Sequence, residues 1–304
     1  MDTPTHPIVL GLWPIAGVTT IGVTQADAAA TIRAAIDSGI TRFDTAFSYG
    51  YDGESDKALR PFLQQDRDRY FVIGKVGQRW TEDKKRVIDG SHRQLVADAE
   101  TSLRRLGIER FDTLMLHSID PKVEIEISAC AIEEMRQRGL AANIGVCNVD
   151  ESQYQSFKSV AHCDAIQTPL NWLQRHALDE LIPACAADDC KVYVYWTLMK
   201  GLLSGGISRD HRFAEGDSRP GYSVFQGEAR ARTHDILDAL GPIADREGLT
   251  VGQLSIGWAI SQPGVTAALV GARRADQILE TSQAVRLGGE VVEEMNEMIE
   301  SAGS

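Results

Sequence analysis

The chain lacks most of the features that would mark a secreted, metal-binding or membrane protein. Its five cysteines, Cys130, Cys147, Cys163, Cys185 and Cys190, are an odd number without a CxxC pair. That argues against a disulfide-built scaffold and for reduced thiols. No two of the seven histidines stand at HxH, HExxH or HxxxH spacing. A metal-dependent barrel hydrolase therefore has little support, and no metal is expected. No GxGxxG follows an apolar run, so a Rossmann reading has no footing. No apolar stretch approaches the roughly 20 residues that span a bilayer, and MDTPTHPIVLGLW has no basic n-region leading into an apolar h-region. A cytoplasmic protein with no membrane association is expected. Positive charge is also in deficit, with 31 basic against 43 acidic residues and a net charge of -12. This disfavours nucleic acid and anionic membranes as partners. The local basic cluster Lys84, Lys85 and Arg86 is read as a solvated helix face.

What the chain does contain is a rhythm. Eight runs have the composition of strands: Ile8 to Trp13, Arg42 to Thr45, Tyr70 to Lys75, Thr113 to His117, Asn143 to Cys147, Ala165 to Thr168, Val192 to Trp196 and Val265 to Val270. Amphipathic stretches separate them, among them Gln25 to Ser38, His92 to Leu106 and Ile125 to Arg138, followed by Gly39, Gly107 and Gly139 as helix stops. Further helices are expected at Arg230 to Arg246, at Val251 to Ser261, and around Ile278 and Met295. Alternating strands and helices imply a parallel sheet, and eight is the number of a (β/α)8 barrel. The 304 residues are read as one such domain, 1–304, because barrels of this kind commonly have this length. The stretch from Gly205 to Glu228 breaks the rhythm with turn formers and no period, and is a candidate lid.

Parallel β/α sheets place their chemistry at the carboxyl ends of the strands. Asp44 and Tyr49 in TRFDTAFSYG, Lys75 in IGKVG and His117 in LMLHSID stand there. Together they can protonate a carbonyl oxygen: an ammonium held by Asp44 would lower the phenol pKa of Tyr49, and His117 would orient the oxygen. Singly, each has a structural explanation: a tyrosine packed in a turn, an aspartate capping a helix, a histidine satisfied in the core.

An ordered series of segments, GLWPIAG, GITRFDTAFSYG, IGKVG, SLRRLGIERFDTLMLHSID, IGVCN, QTPLNWLQR, YWTLMKGLLSG and PGVTAALVGARRADQILE, resembles the aldo-keto reductases over roughly Leu10 to Ala284. The resemblance implies a (β/α)8 TIM barrel. It implies NADPH-dependent reduction of an aldehyde or ketone, or the reverse oxidation of a sugar-like alcohol. The catalytic tetrad would be Asp44, Tyr49, Lys75 and His117, with Tyr49 as general acid. The cofactor would be NADPH/NADP, with NADH less favoured. Its nicotinamide would meet Asn148 and Gln167 and stack on Tyr195. Leu198, Gly201, Leu203 and Gly271 would line its path, with Gly201 to Gly205 beside the pyrophosphate. Arg273, or Arg274 beside it, would read the adenosine 2′-phosphate, while Gln277 and Glu280 would contact the adenine.

The chain departs from the family pattern at Cys147, where serine is frequent, at Thr197 for a frequent proline, and at Thr281 for an asparagine near the adenine. Only nine residues precede Leu10, too few for the N-terminal β-hairpin common in the family. The barrel bottom is then expected to be closed by the first residues or by the C-terminal helix. Trp13, Phe47, Trp80 and Trp172 are candidate walls of the pocket for a small carbonyl or alcohol substrate. The alternative is an NADP(H)-binding regulatory or sensor subunit with little turnover. Substrate identity and oligomeric state do not follow from these residues.

Overall fold

The computed structural model describes residues 6–18, 20 and 22–302. Eight parallel strands close a barrel: β1 (Ile8–Gly11), β2 (Arg42–Asp44), β3 (Phe71–Val76), β4 (Phe111–Leu116), β5 (Ala141–Cys147), β6 (Ala165–Pro169), β7 (Lys191–Tyr195) and β8 (Val265–Gly271). They follow one another around the ring in chain order, and β8 pairs with β1 through Leu10 opposite Val270. All eight expected runs are strands, with ends displaced by a residue or two.

The helices are α1 (Gln25–Asp37), α2 (Glu54–Gln65), α3 (His92–Leu106), α4 (Ile125–Gln137), α5 (Glu151–Lys158), α6 (Leu181–Ala187), α7 (Gly227–Glu247), α8 (Val251–Ile260), α9 (Ala275–Thr281) and α10 (Gly289–Ala302). Local chemistry sets several of their ends. Thr24 with Asp27, Asp150 with Gln153 and Thr250 with Gln253 form reciprocal capping boxes at α1, α5 and α8. Gly107 and Gly139 take left-handed φ of 70° and 78° just past α3 and α4, where a Cβ would be strained.

Two layers of apolar side chains result. The larger lies between strands and helices. The smaller fills the barrel itself with Val9, Ile73, Met115, Cys147, Ala165, Tyr193, Ala267 and Leu269. Phe71, at the start of β3, packs against this inner cluster, and the Arg42 guanidinium lies 5.2 Å from its ring. The C-terminal helix does not plug the barrel. Instead α10 packs on α7, where Arg246 pairs with Glu294, and on α8, where the Trp258 indole donates to Asn296. Its buried residues, Met295 and Ile299, face that helical layer. The first residues, the other expected closure, include 1–5, which lie outside the described part.

Two further segments differ from expectation. Lys84 to Arg86 are not on a helix: Gln78–Trp80 and Arg86–Ile88 form an antiparallel hairpin beyond β3, with Trp80 opposite Arg86. The short Arg86-Val87-Ile88 run is β-branched, and Thr81 and Lys84 close the turn through backbone bonds, so the pattern favours strand over helix. The stretch 205–226 is irregular apart from single turns at Arg219–Gly221 and Ser223–Phe225. It is held by Phe213, which lies 5.6 Å from Phe225 and 4.8 Å from the Arg219 guanidinium.

Candidate active site

The barrel brings Asp44, Tyr49, Lys75 and His117 together. Asp44 ends β2 opposite Ile73, and Lys75 lies two residues further along β3 opposite Met115. The Lys75 ammonium donates to Asp44 Oδ1 at 2.5 Å and to the Thr45 carbonyl at 3.0 Å. Both side chains are almost wholly buried, at 2% and 3% exposure. An ion pair this deep persists only because its remaining hydrogen-bonding positions are also filled. The other Asp44 oxygen accepts from Gln167 Nε2 at 2.6 Å.

Tyr49 sits in the turn after β2. Its hydroxyl reaches Asp44 Oδ1 at 3.5 Å, and the Lys75 ammonium lies 4.6 Å from its ring centre. Its ring meets Trp13 edge-on at 5.2 Å and His117 at 5.7 Å. The turn is held from behind by a buried network. The Thr45 hydroxyl donates to Asp56 at 2.6 Å, Ser102 donates to Asp56 at 2.5 Å, and Ser55 donates to the Tyr49 carbonyl at 3.0 Å. Burial raises the Asp56 carboxyl from 3.8 to about 6. A sequence signal for this shell existed in the hydroxyls and acid of Thr45, Ser55 and Asp56, but it is indistinguishable from helix capping.

The electrostatics differ from the expectation that Lys75 lowers the Tyr49 pKa. Desolvation, and next the Asp44 charge, hold the Tyr49 phenol well above its ordinary value. The Lys75 ammonium is already matched by Asp44, so it does not offset them. The site therefore holds a protonated phenol. His117 is driven well below its ordinary value, first by burial and then by the Lys75 and Arg86 charges, and is a neutral imidazole. Its Nδ1 is sealed from solvent without a partner. An unpaired lone pair is cheaper to bury than an unpaired N–H, which places the proton on Nε2 as a donor.

The expected cofactor residues are placed as follows. Asn148, just past β5 with φ 61°, donates to the His117 carbonyl at 2.8 Å and accepts from the Tyr195 hydroxyl at 2.5 Å. Gln167 is bound to Asp44, as described. Past β7, Met199, Lys200 and Gly201 are all left-handed, at φ 40°, 53° and 93°. Such strain costs about 1–3 kcal/mol per non-glycine residue and gathers at functional loops. Leu198 is half-buried and Leu203 fully buried. The Leu203 N–H and carbonyl are taken by Leu198 and Ser255. Gly271 ends β8 against the Pro14 ring. Gln277 accepts from the Arg273 N–H at 3.0 Å, and Glu280 accepts from the Thr250 hydroxyl at 2.7 Å. The two arginines are distinguished: Arg274 is held bidentately by Asp276 at 2.9 and 2.8 Å, whereas the Arg273 guanidinium makes no ion pair among the described residues. Thr281 turns its hydroxyl back to the Gln277 carbonyl. Thr197 is buried.

Of the expected pocket walls, Trp13 and Trp80 stand at the mouth. The Trp80 indole donates to the Ser48 carbonyl at 2.9 Å and meets Tyr51 at 5.1 Å. Phe47 lies between the Arg105 and Arg79 guanidiniums, at 4.9 and 5.8 Å. Trp172 is not a wall: it is 2% exposed and donates to Ser255 of α8 at 3.1 Å, inside the core. Cys147 is a buried thiol beside Met115, 3.6 Å between sulfurs, and burial pushes its pKa up. Among the described residues no group of three or more His, Cys, Asp or Glu is placed to hold a metal, and no helix is long and apolar enough to cross a membrane.

A parallel eight-stranded barrel with this constellation at its carboxyl end is the framework of a carbonyl-reducing oxidoreductase. The chain belongs to the aldo/keto reductase family, whose model matches residues 7–302. It is 30% identical over 302 residues to the aldo-keto reductase YhdN of Bacillus subtilis, covering 97% of this chain and 90% of that one. It is 28% identical to the NADH-specific methylglyoxal reductase of Escherichia coli, covering 84% and 82%. Its fold superposes on the glycerol dehydrogenase AKR11B4 from Gluconobacter oxydans with a TM-score of 0.91, at 29% identity, covering 99% and 94%. The chain is thus an oxidoreductase of carbonyl and alcohol groups.

Proposed function

We propose that the protein reduces a small aldehyde or ketone to the alcohol with NADPH, Tyr49 acting as general acid. The observation that carries this is the convergence of Tyr49, the buried Lys75–Asp44 pair and neutral His117 at the carboxyl end of the barrel.

A bound nicotinamide cofactor supplies the hydride. The protein's part is at the oxygen. His117 Nε2 and the Tyr49 hydroxyl donate to the carbonyl oxygen and polarise it. As negative charge develops there, the Tyr49 proton moves to it, giving the alcohol and a phenolate. That phenolate forms beside the Lys75 ammonium, 4.6 Å from the ring centre, and recovers its proton from solvent. General acid assistance of this kind contributes typically 10²–10⁴-fold.

Arg273 supports NADPH over NADH. Its main chain is fixed by Gln277 while its fork of donors has no ion-pair partner, which suits a 2′-phosphate. The nearby Asp217 carboxylate is matched by Arg219 at 2.5 Å.

The test is paired. Tyr49→Phe should bind NADPH normally and lose turnover by about 10²–10⁴-fold. Arg273→Ala should weaken NADPH binding, followed by fluorescence, while NADH binding is little changed. Undiminished turnover of folded Tyr49→Phe would refute the acid role. Equal loss for both nucleotides would refute the phosphate-reading role.

A further inference from the structure

The hairpin beyond β3 carries an arginine that the reaction described above leaves unused. Arg86 is exposed, and among the described residues it makes no ion pair and no side-chain hydrogen bond. Its guanidinium is nevertheless fixed, lying 5.0 Å from the Trp13 ring and 5.1 Å from the Trp80 ring. Trp80 is its cross-strand partner, and Trp80 is itself anchored to the Ser48 carbonyl. Trp13 is in turn 5.2 Å from the ring of Tyr49. The two distances meet at Trp13, so the guanidinium carbon lies at most about 10 Å from the catalytic ring.

This arrangement is unusual for a chain of net charge -12. Of the acids near it, Asp83 pairs with Lys85 at 2.6 Å and Asp98 lies 3.7 Å from Arg79, while Glu82 in the same turn makes no ion pair with Arg86. Lys84 adds a second cation over Tyr51 at 4.8 Å, and the Tyr51 ring meets Trp80 at 5.1 Å. Stacking on aromatic faces holds a guanidinium without consuming its N–H donors, which lie in the plane of the fork. A planar fork with free donors, preorganised beside a pocket, matches a carboxylate or phosphate bidentately.

We propose that Arg86, held by Trp13 and Trp80, is a specificity-determining residue that binds an anionic group of the substrate, a carboxylate or phosphate a few carbons from the carbonyl reduced at Tyr49. This rests on the carbonyl-reductase reading for its catalytic consequence, though not for the anion site itself. The Arg86 charge is also felt at Tyr49 and His117, where it opposes the rise at one and deepens the fall at the other. A bound anion would screen both effects.

Two measurements separate the claims. The first compares kcat/KM for 4-oxobutanoate against butanal, and for glyceraldehyde 3-phosphate against glyceraldehyde, in the native protein, Arg86→Gln and Arg86→Lys. The native protein should favour the charged member of at least one pair, and the responding pair identifies carboxylate or phosphate. Arg86→Gln should cut that preference about tenfold or more, chiefly through KM, and Arg86→Lys should restore part of it. The second titrates succinate and inorganic phosphate into the protein, followed by tryptophan fluorescence, in the native protein and Arg86→Gln. Saturable quenching that Arg86→Gln abolishes, in a protein that reduces none of the carbonyls, would uphold the anion site and sink the reductase reading. Reduction with unchanged charged-to-neutral ratios in Arg86→Gln would overturn the proposal and leave the reductase reading intact. The proposal is equally overturned if neither anion is bound and no carbonyl is reduced.

Discussion

Gln167 donates from β6 to Asp44 Oδ2 at 2.6 Å, joining residues 123 positions apart across the mouth of the barrel. The amide thus completes the shell of a carboxylate whose other oxygen binds Lys75. In the proposed mechanism it would hold the carboxylate that pairs with Lys75, as well as standing where a nicotinamide amide is expected. Gln167→Leu should leave Asp44 Oδ2 buried without a partner and cost about 1–3 kcal/mol of stability. Turnover should fall while the fold survives, so denaturant unfolding and kcat should be measured on the same preparation. A variant as stable and as active as the native protein would remove Gln167 from this role.

The protonation state of Tyr49 sets a direction. Its pKa is raised by burial and by Asp44, so the acid needed for reduction is present throughout the neutral and mildly alkaline range. The reverse reaction needs the phenolate. Reduction should therefore show no loss attributable to Tyr49 up to about pH 9, whereas alcohol oxidation should climb with pH, since the ordinary tyrosine value is already about 10. Profiles of kcat in both directions decide it. A fall in reduction near neutral pH with an unmodified rate of oxidation would contradict the raised pKa.

Asp56 gives a stability signature. Its carboxyl moves from 3.8 to about 6 on folding, so the native state holds the proton more tightly than the unfolded chain does. Its favourable contribution is complete below the unfolded value and is lost as pH rises through the folded one. The loss is on the order of 3 kcal/mol. Asp56→Asn removes the titration, so its stability relative to the native protein should improve as pH rises from about 4 to about 7. Parallel stability curves over that range would show that Asp56 does not titrate in this way.

Trp172 tests the boundary between core and pocket. Trp172→Phe removes an indole that donates to Ser255, and should cost about 1–3 kcal/mol through the lost bond and the space left behind. KM for carbonyl substrates should not change. A shift in KM at unchanged stability would return Trp172 to the pocket wall.

The sequence alone determined the eight strands, the helices between them, and the residues that end β2, β3 and β4. The reason is local: β-branched apolar runs, capping residues and glycine stops act within a few positions. The rule that parallel β/α sheets carry chemistry at strand ends then singles out Asp44, Tyr49, Lys75 and His117. Only the tertiary structure decided which partners these side chains meet. Ring closure brings Gln167 onto Asp44 and so leaves the Tyr49 phenol beside a charge pair already matched within itself. It also puts Trp172 against Ser255, 83 positions away, and thereby inside the core. The hairpin likewise escaped the sequence, because three-residue strands are too short to fix a period, and only its fold over the barrel mouth sets Arg86 between Trp13 and Trp80. Burial, pKa and ion pairing belong to contacts between distant segments, which a local pattern does not encode.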